Sequence, residues 1–179
     1  PFKGLTSQAP TLASALREST FKAFKEISRL ALQEKVDAVL IAGDVFDGAD
    51  RSLQAQLKFR RILKELSDEN IQSFIVHGNH DPLNSWAHTL EWPEHVTIFP
   101  GNKVHHVPVK KEGKNIAWVY GISYPQKEVT ENLALKFKNE KKEGFSIGLL
   151  HTNVGQQPGH DNYAPCSIND LVSRNFDYW

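Results

Sequence analysis

The sequence predicts an α/β fold, and three observations carry that prediction. Val39-Leu40-Ile41-Ala42, Phe74-Ile75-Val76 and Ile147-Gly148-Leu149-Leu150 are short apolar runs, the pattern of strands buried on both faces. The first two are separated by an amphipathic stretch of helical period, which makes a β-α-β unit with a parallel strand pair. All three runs end in polar side chains: Asp44, the Asn79-His80 pair and His151. Sites in α/β sheets gather at such carboxyl ends.

The elements follow in order. Leu16, Ala23, Ile27 and Leu30 recur at helical spacing, so a helix is expected from about Thr11 to Lys35. A strand follows at about Val36–Ala42, then a loop with two glycines and three aspartates at Gly43–Asp50. Phe59, Ile62, Leu63 and Leu66 repeat at i, i+3, i+4, i+7 and place a second helix at about Ser52–Glu69. A strand at about Gln72–Val76 closes the unit. The second half reads as β-rich, with strands at Val96–Phe99, Val104–Val109 and Ile116–Gly121. Glu112-Gly113-Lys114-Asn115 reads as a hairpin turn between the last two. A helix is expected at about Lys127–Glu140 and a strand at Phe145–Leu150. Thr152–Pro165 is a long loop directly after His151, and long loops in compact domains are often functional. Ser167-Ile168-Asn169-Asp170 fits a capping-box variant opening a short helix. Phe176-Asp177-Tyr178-Trp179 looks like the opening of a further strand.

The 179 residues suffice for one domain with a core, and the composition, 40% hydrophobic and 23% charged, is that of a globular protein. No apolar run approaches the roughly 18 residues of a membrane span. No signal peptide, no Asn-x-Ser/Thr sequon and a lone Cys166 together favour a reducing, cytoplasmic setting. Twenty-one basic residues balance 21 acidic ones, so composition gives no support for a broad polyanion-binding face. The lysine clusters at 110–114 and 136–142 read first as solvated surface. The chain begins at Pro1 and contains no Met, so it is read as an internal piece of a longer protein, one domain over residues 1–179 that is incomplete at both ends.

Asp44 sits in Gly43-Asp44-Val45-Phe46-Asp47. A carboxylate there can bridge two cations, or cap a helix and order a turn. Asp47 reads as a turn residue or as a group behind the ligands. In Gly78-Asn79-His80-Asp81, Asn79 offers an amide oxygen to a metal and Gly78 permits close backbone approach. His80 can pass a proton to a leaving oxygen, and Asp81 could orient that imidazole. A turn without chemistry is the competing reading. His151 is a metal ligand or a hydrogen-bonded core histidine. His105 and His106 point to opposite faces of one strand and cannot share a site. His160 either lines a substrate entrance or lies in a surface turn. Asp44, then Asn79 and His80, then His151 arise from separate strand ends, and a carboxylate, an amide and imidazoles suit a divalent ion.

Those motifs, Gly-Asp-x-x-Asp, Gly-Asn-His-Asp and the strand-ending His, resemble those of calcineurin-like metallophosphoesterases. Val36–Asp47 is similar to the DNA-repair exonuclease branch, the bacterial SbcD-type nucleases. His151-Thr152-Asn153-Val154 with Gly159-His160-x-x-Tyr163-Ala164-Pro165-Cys166 resembles the YhaO-type members. The resemblance implies a four-layer α/β/β/α sandwich of two mixed sheets flanked by helices. It implies two divalent ions, Mn2+ in that branch, with Asp44 as the bridging carboxylate and Asn79 and His151 as ligands of the second ion. His80 is then the proton donor, and a metal-activated hydroxide attacks phosphorus. DNA is the implied substrate, an SbcC-like coiled-coil ATPase the implied partner, and a homodimer the implied assembly, with no membrane. The family's Asp-x-His and Gly-His-x-His motifs are not in this sequence, so weak or no activity is expected of the piece alone. Two other functions fit the same residues: a phosphatase or small-molecule phosphodiesterase of the superfamily, and a non-catalytic component of an ATPase complex.

Overall fold

A computed structural model describes residues 10–46, 52–85, 90–140, 142–155 and 163–179, with side chains of the first helix described from residue 19. The elements are α1 (Pro10–Glu34), β1 (Ala38–Ala42), α2 (Leu53–Asp68), β2 (Gln72–Val76), β3 (Val96–Ile98), β4 (His105–Lys111), β5 (Lys114–Ile122), β6 (Phe145–Leu150) and α3 (Ile168–Val172). They form two three-stranded sheets. The first runs β1-β2-β3 and is parallel throughout. The second runs β4-β5-β6 and is mixed, with β4 antiparallel and β6 parallel to β5. The two sheets flanked by helices are as expected, although only the second mixes strand directions among the described residues.

Alternation along the strands builds the layers. Val39, Ile41 and Ile75 face the helices and pack with Phe59, Leu63 and Leu66 of α2. Ala38, Leu40, Phe74 and Val76 point the other way, onto Val109, Ala117, Val119 and Leu149 of the second sheet. Trp118, Tyr120 and Ile122 form the outer face of that sheet, covered by Leu133, Phe137, Phe176 and Trp179. The order is therefore helices, sheet, sheet, covering segment.

Local chemistry explains the ends. Ser52 caps α2 by accepting from the Ala55 amide, 3.2 Å. Between β4 and β5 the chain turns on Glu112 and Gly113 alone, both at positive φ (50° and 78°), the geometry of a two-residue hairpin turn. Ser167 and Asp170 make the reciprocal capping box at α3. Tyr178 forms a parallel bridge with Ile147, so the final residues do open a strand-like contact beside β6.

One expected element is absent. Instead of a helix over Lys127–Glu140 there is a single 3-10 turn at Leu133–Lys136. The Asn132 side chain accepts from the Ala134 amide and starts that turn, while Phe137 ends it in extended conformation. Leu133, Ala134 and Phe137 are all buried against the second sheet, so packing of three apolar anchors overrides the helical charge pattern. Among the described residues no helix is long and apolar enough to cross a membrane.

Candidate metal centre

Strands β1, β2 and β6 end on the same side of the sandwich, because β1 and β2 are parallel and β1 packs on β6. Their carboxyl ends deliver Asp44, Asn79 and His151 to one place. His151 Nε2 lies 3.0 Å from Asn79 Oδ1 and 3.4 Å from Asp44 Oδ2. His151 Nδ1 lies 2.8 Å from the Ala42 carbonyl oxygen. A carbonyl only accepts, so Nδ1 carries the proton, and in the neutral form of the ring Nε2 keeps its lone pair. Three lone-pair atoms then face one another, an arrangement that a cation between them offsets. Ligands about 2.1 Å from a small octahedral ion lie roughly 3 Å apart, close to the spacings seen. The donor set thus fits a divalent ion. It holds one carboxylate, one imidazole and one amide; among the described residues no group of three or more His, Cys, Asp or Glu side chains assembles.

The backbone around these groups is tightly drawn. Gly43 and Asp44 both take positive φ, 86° and 53°. A Cβ at Gly43 would lie 2.8 Å from His151 Nδ1, and one at Gly78 would lie 2.3 Å from Asp44 Oδ1. Both positions therefore demand glycine for reasons of space, and Gly43 also for its φ. Asp44 tolerates the left-handed region better than most residues, and its fixed hydrogen bonds hold it there.

Asp81 supplies that restraint. It is fully buried, and its Oδ1 accepts from the amides of Asp44 (3.1 Å) and Gly78 (2.9 Å). Its Oδ2 accepts from the Val45 amide at 2.9 Å and lies 3.7 Å from His77 Nδ1. One carboxylate thus ties the ends of β1 and β2 together. The His80 amide donates to Asp44 Oδ1 at 3.0 Å, which sets the carboxylate's rotation and leaves Oδ2 toward His151. His80 itself is exposed at the rim. Asn79 is 7% exposed, whereas the side chains of Asp44 and His151 keep 31% and 22% of their surface, so the set opens to solvent on one side.

The second sheet reaches the same place. The His77 amide donates to Ser123 Oγ at 3.0 Å, and the Tyr124 amide donates to the His77 carbonyl at 3.0 Å. The Tyr124 ring stands edge-on to His151, with centroids 5.4 Å apart and an interplanar angle of 81°. Sequence reasoning missed Tyr124; its one signal was a place just past a strand end, and an aromatic there reads as core. Asp47 and His160 lie outside the described residues. Three lysines of the two clusters are ion-paired: Lys111 with Asp37 (2.9 Å), Lys136 with Glu131 (2.7 Å) and Lys142 with Glu140 (3.3 Å).

A two-sheet sandwich with helices outside, and a carboxylate, amide and imidazole at its strand ends, define a phosphoesterase of the calcineurin-like type. The sequence pattern of the calcineurin-like phosphoesterase family matches residues 15–179, and the chain belongs to that family, whose members are hydrolases that use divalent metals. Among its relatives, the uncharacterized metallophosphoesterase YhaO of Bacillus subtilis is 37% identical over 179 residues, 100% of this chain and 44% of that protein. The DNA double-strand break repair protein Mre11 of Sulfurisphaera tokodaii is 26% identical over 166 residues, 90% of this chain and 42% of that one. The SbcD component of the nuclease SbcCD of Rhodobacter capsulatus is 40% identical over 89 residues, 48% of this chain and 21% of that one. The chain spans less than half the length of each of these relatives.

Proposed function

We propose that this chain is the hydrolytic domain of a Mn2+-dependent DNA exonuclease of the SbcD-like repair type. The observation that carries the reading is the convergence of Asp44 Oδ2 and Asn79 Oδ1 on a His151 Nε2 whose tautomer is fixed from behind by Ala42. Asp44, Asn79 and His151 would hold the ions, with Asp44 as the shared carboxylate. When bound, a pair of such ions acidifies water and neutralises phosphate charge. The chain's own residues do the rest. Asp81 holds the Asp44 backbone, and the His80 amide holds its carboxylate. Asn79 and His151 line the inner wall, and the open side admits a phosphodiester. His80, which is exposed, would give a proton to the departing oxygen.

DNA as the substrate draws support from relatives whose names specify DNA double-strand break repair or a nuclease, not from the chain's charge, which is zero. By the same reading the protein works with a coiled-coil ATPase, as a homodimer, in the cytoplasm. A buried, disulfide-free Cys166 is in keeping with a reducing compartment. The test is hydrolysis of linear double-stranded DNA beside a chromogenic phosphodiester, by the full-length protein with Mn2+ and with a chelator. Metal-dependent loss of nucleotides from DNA ends is expected, with His80→Ala reducing turnover about a hundredfold or more. Hydrolysis of the small ester with DNA left intact would make this a small-molecule phosphodiesterase. An undiminished His80→Ala rate would remove His80 from the mechanism.

A further inference from the structure

Tyr124 sits two residues beyond β5, inside the wall of the candidate site. It is 0% exposed, and its backbone is pinned: the amide donates to His77 and the carbonyl accepts from the Leu83 amide, both at 3.0 Å. Two constraints meet on the His151 ring. Ala42 holds its Nδ1, and the Tyr124 ring meets it edge-on at 5.4 Å. Together they fix the imidazole plane and therefore the direction of Nε2. Edge-to-face aromatic contacts carry such a geometric preference. The Tyr124 hydroxyl is buried and has no hydrogen-bond partner among the described residues. An orphaned hydroxyl of this kind calls for an explanation, because burying an unpaired donor costs free energy. A phenol is an O–H donor, so the group has a proton to share. Asp44 and Cys166 are the ionisable side chains within electrostatic reach of it.

We propose that Tyr124 is a positioning residue of this centre: its ring holds His151 in plane, and its hydroxyl is a donor reserved for an anionic oxygen. That oxygen belongs to the Asp44 carboxylate. The proposal rests on the phosphoesterase reading above. It explains why a tyrosine, rather than a phenylalanine of equal packing value, stands at a buried position with nothing to bond.

The experiment uses the full-length protein and the variants Tyr124→Phe and Tyr124→Leu. Mn2+ binding is measured by calorimetry, and kcat and KM on a chromogenic phosphodiester. Tyr124→Phe is expected to fold normally and to lose roughly tenfold in kcat/KM, the effect of one charge-assisted hydrogen bond. Weaker Mn2+ binding in that variant identifies the carboxylate as acceptor. Tyr124→Leu is expected to bind Mn2+ roughly 10- to 100-fold more weakly, the usual consequence of releasing a ligand from its support. Tyr124→Met keeps the bulk without the ring and replaces the leucine variant should that one not fold. Tyr124→Phe unchanged in all three measurements overturns the hydroxyl's role, and unchanged Mn2+ affinity without the ring overturns the ring's. A wild-type protein that hydrolyses no phosphodiester with any divalent ion sinks the functional reading instead. The calorimetric Mn2+ measurement then still decides both halves of the proposal.

Discussion

Asp81 does structural work out of proportion to its size. Its buried carboxylate accepts three backbone amides, from Asp44, Val45 and Gly78, and so joins two strand ends that neighbouring ladder bonds do not reach. An asparagine there keeps the shape but replaces one acceptor oxygen with a donor facing an N–H. Asp81→Asn is therefore expected to destabilise the fold by about 3 kcal/mol, roughly 6–12 °C in Tm for a domain of this size, and to weaken Mn2+ binding as Asp44 loses its anchor. Thermal melts with a parallel metal titration check this; a melt within 1–2 °C of wild type, roughly the shift of half a kcal/mol, would show that the amides are not held by Asp81. Asp44, Asn79, His80 and His151 were legible in the sequence because each follows an apolar run, and Gly43 and Gly78 flag close approaches. The role of Asp81 was only half legible: its place beside His80 hinted at orienting an imidazole, whereas two of the three amides it holds arrive from residues 37 and 36 positions away. Tyr124 was hidden for the same reason, since its neighbour His151 comes from another strand.

At the scale of elements, the covering layer of the second sheet depends on polar ties as well as on packing. The Asp177 carboxylate accepts from the Ser146 amide at 2.8 Å and from its hydroxyl at 2.6 Å, fastening the last residues to β6. The Ser146 hydroxyl first, then its amide, hold the Asp177 pKa below its ordinary 3.8. A carboxylate whose pKa is lower folded than unfolded stabilises the protein fully above the unfolded value and loses that contribution as pH falls through the folded one. The stability difference between wild type and Asp177→Asn is therefore expected to be present at neutral pH and to close in acid as pH falls through the lowered folded-state pKa. Chemical denaturation at the two pH values measures it; a difference that persists unchanged in acid would contradict the linkage. The long strands and α2 were readable because Phe59, Ile62, Leu63 and Leu66 keep a strict helical period and all end up buried. The segment 127–140 was not, because its lysines and glutamates read as a helix surface while Leu133, Ala134 and Phe137 answer to the sheet beneath them. Its one helical turn is fixed by Asn132, which also donates to Asp170 of the next helix.

For the whole molecule, the decisive feature is that parallel β1 and β2 of one sheet and parallel β6 of the other finish at a common edge. That topology brings Asn79 and Asp44 to 3.0 Å and 3.4 Å from His151 Nε2. The four layers supply the rigidity: one core between helices and sheet, one between the sheets, one beneath the covering segment. A donor set built on three strand ends is held by all of them, and its spacing matches a small divalent ion more closely than it matches any packing need. The most direct check is calorimetric titration of Mn2+ into the full-length protein and into Asn79→Ala and His151→Ala variants that melt as the wild type does. Binding by the wild type, weakened tenfold or more in each variant, is the predicted result. Wild-type affinity retained in both would contradict the account, since the ions would then lie elsewhere.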